Sequence, residues 1–215
     1  MTTETRLTET IHTYNLTAKQ YQDKCMQMDM YNDSYDSFCQ LVEKKSASIL
    51  DIGTGPGNIT QYLLTQRPDF QVIGIDLAEK MVTLARENNP TAIFHVMDAR
   101  EISTLDKKFD GIMCGFCAPY LSKEELKTLI HQASTLLHTN GIFYCSTMED
   151  SDNKSGFETT SFSGNNRVYI YYHQADFLLD CFHQSGFDVL DVQRKKYPES
   201  DGSFLIDLII IAKKR

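Results

Sequence analysis

The chain has 215 residues, of which 41% are hydrophobic and 23% charged, an ordinary globular balance for one α/β domain with a sizeable core. A formal net charge of −8, with basic runs that are short and far apart (Lys107-Lys108, Arg194 to Lys196, Lys213 to Arg215), argues against a nucleic-acid partner. No apolar stretch follows the first residues and none approaches a membrane span, so neither a secretory signal nor a transmembrane segment is expected, and six scattered cysteines read as reduced thiols in the cytoplasm.

In chain order, residues 14–44 read as helical. Tyr21, Cys25, Met28, Tyr35, Phe38 and Val42 keep one face apolar while the aspartates fall elsewhere. The apolar run 48–52 then ends in Gly53-Thr-Gly-Pro-Gly57, a strand-to-helix turn followed by the helical spacing of Ile59, Leu63 and Leu64. Further strands are expected over 71–76, 92–97, 109–114 and 142–146. Helices are expected around Met81 to Ala85, from Ser122 to about Leu137, and from Asp176 to Gln184. The Ser122-Lys-Glu-Glu125 run is a capping-box pattern ahead of apolar periodicity. The last two strands, 187–193 and 204–212, are joined only by residues 197–203. That link is too short for a right-handed crossover, so the pair must be antiparallel. The expected fold is α/β, a doubly wound seven-stranded and mostly parallel sheet with a C-terminal antiparallel hairpin and an N-terminal helical lid. Residues 1–46 would form the helical segment and 47–215 the sheet domain. Residues 149–166 are polar and rich in Ser, Gly and Asn, so a mobile loop over the sheet edge is expected there.

The strongest chemical signal is Asp51-Ile-Gly-Thr-Gly-Pro-Gly57. A dinucleotide loop reads Gly-x-Gly-x-x-Gly, yet its third glycine position holds Asn58, and Pro56 removes an N–H that a pyrophosphate would use. Asp51 at the strand end favours a cationic group instead, such as the α-amino group of S-adenosylmethionine (SAM). Asp76 ends the second strand, where an acid accepts hydrogen bonds from ribose hydroxyls, and Asp98 ends the third, placed to take an adenine amino proton. Each could instead cap the helix that follows it.

These segments resemble the class I (Rossmann-like) SAM-dependent methyltransferases. The glycine motif of that family is matched by Ile49 to Asn58, its ribose motif by Val72 to Met81, and its adenine motif by Val96 to Ala99. The family's sheet also ends in an antiparallel hairpin. The resemblance implies that Gly53 and Gly55 pass beneath the methionine part of SAM. Asp76 would hold the ribose, Leu77 and Met81 would pack on the adenine, and Asp98 with Ala99 would read its edge. Cys114 and Gly115 would lie near the sulfonium, and Tyr21 would close over the cofactor. Phe116-Cys-Ala-Pro-Tyr120 lacks the polar residue and double proline of amino-directed DNA methyltransferases, which again disfavours nucleic acid.

Cys114 and Cys117 form a Cys-x-x-Cys without a second pair, so no metal site is expected. The acceptor is expected to be a small molecule, with Tyr172 or His173 touching it, and the protein to be a monomer or homodimer. His95 is expected to pack under a helix, and His131 and His138 to face solvent. A non-catalytic SAM-binding regulator, or a nicotinamide-dependent oxidoreductase, are the alternatives these residues leave open.

Overall fold

A computed structural model describes residues 3–159, 165–199 and 202–215. Its elements are α1 (Thr3–Cys25), α2 (Asn32–Leu41), β1 (Ser48–Ile52), α3 (Asn58–Gln66), β2 (Gln71–Asp76), α4 (Glu79–Asn88), β3 (Ile93–Val96), β4 (Phe109–Cys114), α5 (Lys123–Leu136), β5 (Leu137–Met148), β6 (Gly156–Thr159), β7 (Arg167–Ile170), α6 (Ala175–Gln184), β8 (Phe187–Pro198) and β9 (Phe204–Lys214).

Seven strands form one sheet in the order β3-β2-β1-β4-β5-β9-β8. The first five run parallel, and β9 pairs antiparallel with both β5 and β8. The expected seven-stranded, mostly parallel sheet with a terminal hairpin is therefore what the chain adopts. Strand order reverses at β1 and β4, and this switch point opens a crevice beyond the carboxyl ends of the strands.

Why the sheet sits inside follows from side-chain alternation. On β9, Leu208, Ile210 and Ala212 face one apolar core while Ile209 and Ile211 face the other. A strand buried on both faces needs such a continuous apolar run, which is what residues 208–212 supply. On one face α5 lays down Leu126, Leu129, Ile130 and Ala133, spaced i, i+3, i+4, i+7, and α6 adds Leu178 and Phe182. At roughly 1.5–3 kcal/mol for each large apolar side chain removed from water, such faces hold the layers together. Ser122 caps α5 through the expected reciprocal box with Glu125.

Four segments differ from expectation. The N-terminal helix begins earlier and breaks between Cys25 and Asn32, giving α1 and α2 separate duties. Tyr31, in the break, turns inward so that its hydroxyl donates to Asp207 Oδ2 at 2.5 Å. Helix α2 then packs Tyr35 and Phe38 on the sheet, while α1 runs over the crevice. Within residues 149–166, expected as a loop, β6 pairs with β7 as a small antiparallel sheet against α1; residues 160–164 lie outside the described residues. Thr10 and Thr13 on α1 bond the Tyr169 N–H and the Arg167 carbonyl, supplying the tertiary support that two four-residue strands lack alone. Strand β5 starts at Leu137 rather than Ile142, because a bulge inserts residues between its first pair and the rest of the ladder. The terminal hairpin extends to Pro198 and Phe204, with residues 200–201 outside the described set. His95 is exposed on the edge strand β3 rather than packed under a helix; His131 and His138 face solvent, the latter on β5.

No described helix is long and apolar enough to cross a membrane.

Candidate active site

The glycine loop is built by backbone chemistry. Gly53 and Thr54 both donate their N–H groups to the Ile75 carbonyl, at 2.8 and 2.9 Å, which bends the exit of β1 across the end of β2. Gly53 and Gly55 take φ of +69° and +54°, a region open to glycine at no steric cost. Asp51 does not reach the crevice. It is buried beneath the loop, its Oδ2 accepting from Thr54 at 2.7 Å and Thr60 at 2.6 Å, and burial pushes its pKa up to about 6. Its place is to tie the loop to the first turn of α3.

Asp76 projects from the end of β2. Its Oδ2 accepts from the Gly55 N–H at 2.9 Å and its Oδ1 from the Ala78 N–H at 2.8 Å; burial raises its pKa against those donors and the lesser pull of the Leu77 N–H. A carboxylate oxygen has two lone pairs, so each still has one to offer. Asp98 is placed differently. It accepts from the Arg100 N–H and from the Arg100 side chain on both oxygens, and this pairing outweighs the burial that would otherwise raise its pKa. Arg100 also donates to Glu125 Oε1 at 3.1 Å, so the adenine-motif acid is locked to the capping box of α5. The expected release of Asp98 for an adenine amino group is thus contested by a neighbour two residues along.

Above these acids lies a cavity enclosing about 980 Å³ of unfilled space, mouth included. Its floor is Gly53, Gly55, Asp76 and Gly115, its roof is α1, and one flank is Leu77, Met81, Met97 and Ala99. Tyr21 lies over Gly55, and Tyr14 packs edge-on against both Tyr21 and Tyr120, with centroids 5.5 and 5.4 Å apart. Tyr14 and Tyr120 share a hydroxyl hydrogen bond. Burial raises the pKa of both, so they remain neutral donors.

Of the residues singled out in the sequence, Tyr21, Gly53, Gly55, Asp76, Leu77, Met81, Asp98, Ala99 and Gly115 line the cavity; Asp51, Cys114, Tyr172 and His173 do not. Cys114 is fully buried at the end of β4, and Cys117, one turn on, takes the wall position. Hydrogen bonding to Cys114 and burial raise the Cys117 thiol pKa well above its ordinary value, which leaves it a poor nucleophile. All six cysteines are free thiols, and no cluster of metal-ligating side chains occurs among the described residues.

The placement of His173 and Tyr172 departs from the expected substrate contact. His173 is fully buried, its Nε2 within 3.2 and 3.0 Å of the Ala118 and Leu121 carbonyls and its ring stacked on Phe177. Burial lowers its pKa. Tyr172 turns to Glu158. Strand alternation explains Tyr172, since Tyr169 and Tyr171 take the cavity side of the same segment, whereas His173 lies beyond the end of β7 and is drawn inward by the Ala118 and Leu121 carbonyls. Sequence reasoning also missed Arg6, Arg100, Phe116, Tyr120 and Glu125 as wall residues. Tyr14 belongs to the N-terminal tyrosine stripe, which reads from sequence as either a pocket lid or a packed helix, and it lines the cavity.

The family model of a methyltransferase domain matches residues 49–141. A relative from Invertebrate iridescent virus 6, named as a methyltransferase, is 32% identical over 114 residues, 53% of this chain but only 42% of its own length. An uncharacterized methyltransferase of Bacillus pumilus is 28% identical over 164 residues, covering 75% of this chain and 67% of its own. Among solved structures, the SAM-bound magnesium protoporphyrin IX methyltransferase of Synechocystis PCC 6803 superimposes with a TM-score of 0.70 over 98% of this chain and 97% of that one. At 15% identity that likeness speaks to the fold.

Proposed function

We propose that the chain is a class I SAM-dependent methyltransferase, and that it transfers the methyl group of SAM to a small acceptor held under α1. The observation that carries the reading is the cavity at the strand switch point, with a glycine floor, an open-handed carboxylate at Asp76 and an aromatic roof. The residues suit the cofactor. A Cβ built on Gly55 would stand in the cavity with Tyr21 as its nearest neighbour at 3.6 Å, so the space exists because the side chain does not. Asp76 has one lone pair per oxygen for the two ribose hydroxyls, while Leu77 and Met81 offer an apolar face to a purine.

When bound, SAM supplies a methyl group activated on a sulfonium, which is already a good leaving group. The chain's own residues have three tasks: to hold the acceptor in line, to exclude water and to donate hydrogen bonds. Tyr14, Tyr21 and Tyr120 close the space with neutral hydroxyls. Asp98 and Glu125 are committed to Arg100, and no histidine lines the wall among the described residues. The acceptor therefore arrives with its nucleophilic lone pair available rather than losing a proton to an enzymic base. The half of the cavity bounded by Leu7, Ile11, Phe116, Tyr120 and Leu121 suits an apolar, planar molecule, and α1 serves as its lid.

The test is formation of S-adenosylhomocysteine (SAH) and a methylated product when SAM-loaded protein meets a library of small aromatic and apolar acceptors. SAM bound at micromolar concentration but never consumed would contradict catalysis and favour a binding regulator.

A further inference from the structure

Two cationic side chains line the cavity among the described residues, and they are treated unlike each other. Arg100 is bracketed by Asp98 and Glu125. Arg6, at the end of the first turn of α1, forms no ion pair with any described carboxylate. Its guanidinium lies over the Tyr169 ring at 4.3 Å from the centroid and donates Nη1 to the Tyr171 hydroxyl at 3.3 Å. Its Nε is buried without a hydrogen-bond acceptor. The Nε is therefore shut off from the cavity, and the donors left open are on the terminal nitrogens: among the described residues Nη2 makes no hydrogen bond and Nη1 makes one, to Tyr171. That terminal edge can grip a carboxylate with two parallel hydrogen bonds.

Arg6 is held firmly for a surface arginine. Helix α1 is tied to β7 through Thr10 and Thr13, and β7 carries Tyr169 while the chain just beyond it carries Tyr171. Tyr171 is itself anchored by its N–H to the Pro119 carbonyl, beside Tyr120. The nearby Arg167, by contrast, is neutralised by Glu9. Arg6 thus stands at the end of the cavity formed by α1 and the β7 segment, away from the glycine loop, which Tyr21 covers fifteen residues further along α1.

We propose that Arg6, with the Tyr171 hydroxyl, is the seat for an anionic group on the acceptor, so that the substrate class is a small planar molecule bearing a carboxylate. This rests on the methyltransferase reading and adds the acceptor's charge to it. Arg6 is a specificity residue here: the carboxylate lies on the guanidinium, the apolar body lies along Ile11 and Tyr120, and the reacting atom points to the glycine floor.

The experiment loads the full-length chain with saturating SAH and titrates benzoate and 2-naphthoate against their uncharged amides. Wild-type protein is expected to bind at least one carboxylate roughly tenfold more tightly than its amide, and Arg6→Gln to lose that preference while binding SAH unchanged. Lys substitution at the same position (Arg6→Lys) should restore part of the charge preference, since the cation returns without the fork. SAH bound normally with no carboxylate preference in wild type overturns the anion seat alone. Weakened SAH binding in Arg6→Gln also overturns it, because Arg6 would then serve the cofactor. Absence of SAH binding in wild type overturns the methyltransferase reading and the seat together.

Discussion

Two glycines of one loop, Gly53 and Gly55, have different jobs. A Cβ on Gly53 would stand 2.7 Å from the Cys117 Cβ, whereas one on Gly55 would meet nothing nearer than Tyr21 at 3.6 Å. Both share the left-handed strain of roughly 1–2 kcal/mol for a non-glycine residue. Gly53→Ala adds a clash with packed side chain, so urea denaturation should show it roughly 2–4 kcal/mol less stable. Gly55→Ala should cost about 1 kcal/mol in stability but project into the cofactor space, weakening SAM binding at least roughly tenfold in a calorimetric titration. Equal stability losses in the two variants, with SAM affinity intact in both, would contradict this division. Asp207 makes a second prediction, about pH. It is 2% exposed on β9, and burial pushes its pKa up to about 6 despite the Tyr31 hydroxyl. The folded state therefore binds the proton more tightly than the unfolded one. Its contribution is most favourable below the unfolded pKa near 4 and declines as pH rises through about 6, by roughly 2–3 kcal/mol in all. Asp207→Asn, which keeps an acceptor for Tyr31, should stabilise the protein at pH 7.5 and give little gain at pH 4.5. A gain of equal size at both pH values would contradict the buried-charge account.

At the scale of elements, the capping box of α5 joins folding to the site. Ser122 and Glu125 satisfy the helix N-terminus, and Glu125 then pairs with Arg100, which holds Asp98. Ser122→Ala should cost about 1 kcal/mol in thermal or urea unfolding, as the loss of a capping hydroxyl does. Glu125→Gln should do more at the cavity, freeing Arg100 and changing SAM affinity through Asp98. A Glu125→Gln protein with unaltered SAM affinity would detach this chain of contacts from the site. Helix α1 is the other element that matters here. Its aromatic stripe reads equally well as a packed helix or a lid, because both need apolar residues at helical spacing. The structure divides the duties, with Tyr14 and Tyr21 over the cavity and Tyr31, Tyr35 and Phe38 in the core under α2.

For the whole molecule, local signals carried the sheet. Alternating strands and helices, the short final link and the glycine turn each reflect short-range physics, whereas the strand order, with its reversal at β1 and β4, is set by long-range packing and came from the structure. Asp76, Leu77, Met81 and Asp98 were legible for the same reason, since each sits at a fixed offset from a strand end. The opposite wall was not legible. Arg6 and Tyr171 are 165 residues apart in sequence and meet only because β6 and β7 pair and carry α1 across the cavity. Those strands are four residues each and polar on one side, so the sequence looks like a loop until α1 supports it. Tyr172 was misplaced by a single step of strand alternation, and His173 because it lies past the end of β7, where its ring turns in to the Ala118 and Leu121 carbonyls. Binding should also register globally: SAM at about one hundred times its dissociation constant should stabilise the fold by about 2.7 kcal/mol. The most direct measurement is isothermal titration of SAM and SAH into wild-type protein, Asp76→Ala and the shape-preserving Asp76→Asn. The account predicts micromolar binding of both ligands to wild type, weakened at least roughly tenfold in each variant with the fold retained by circular dichroism. Binding that is absent in wild type, or equal in all three proteins, would contradict it.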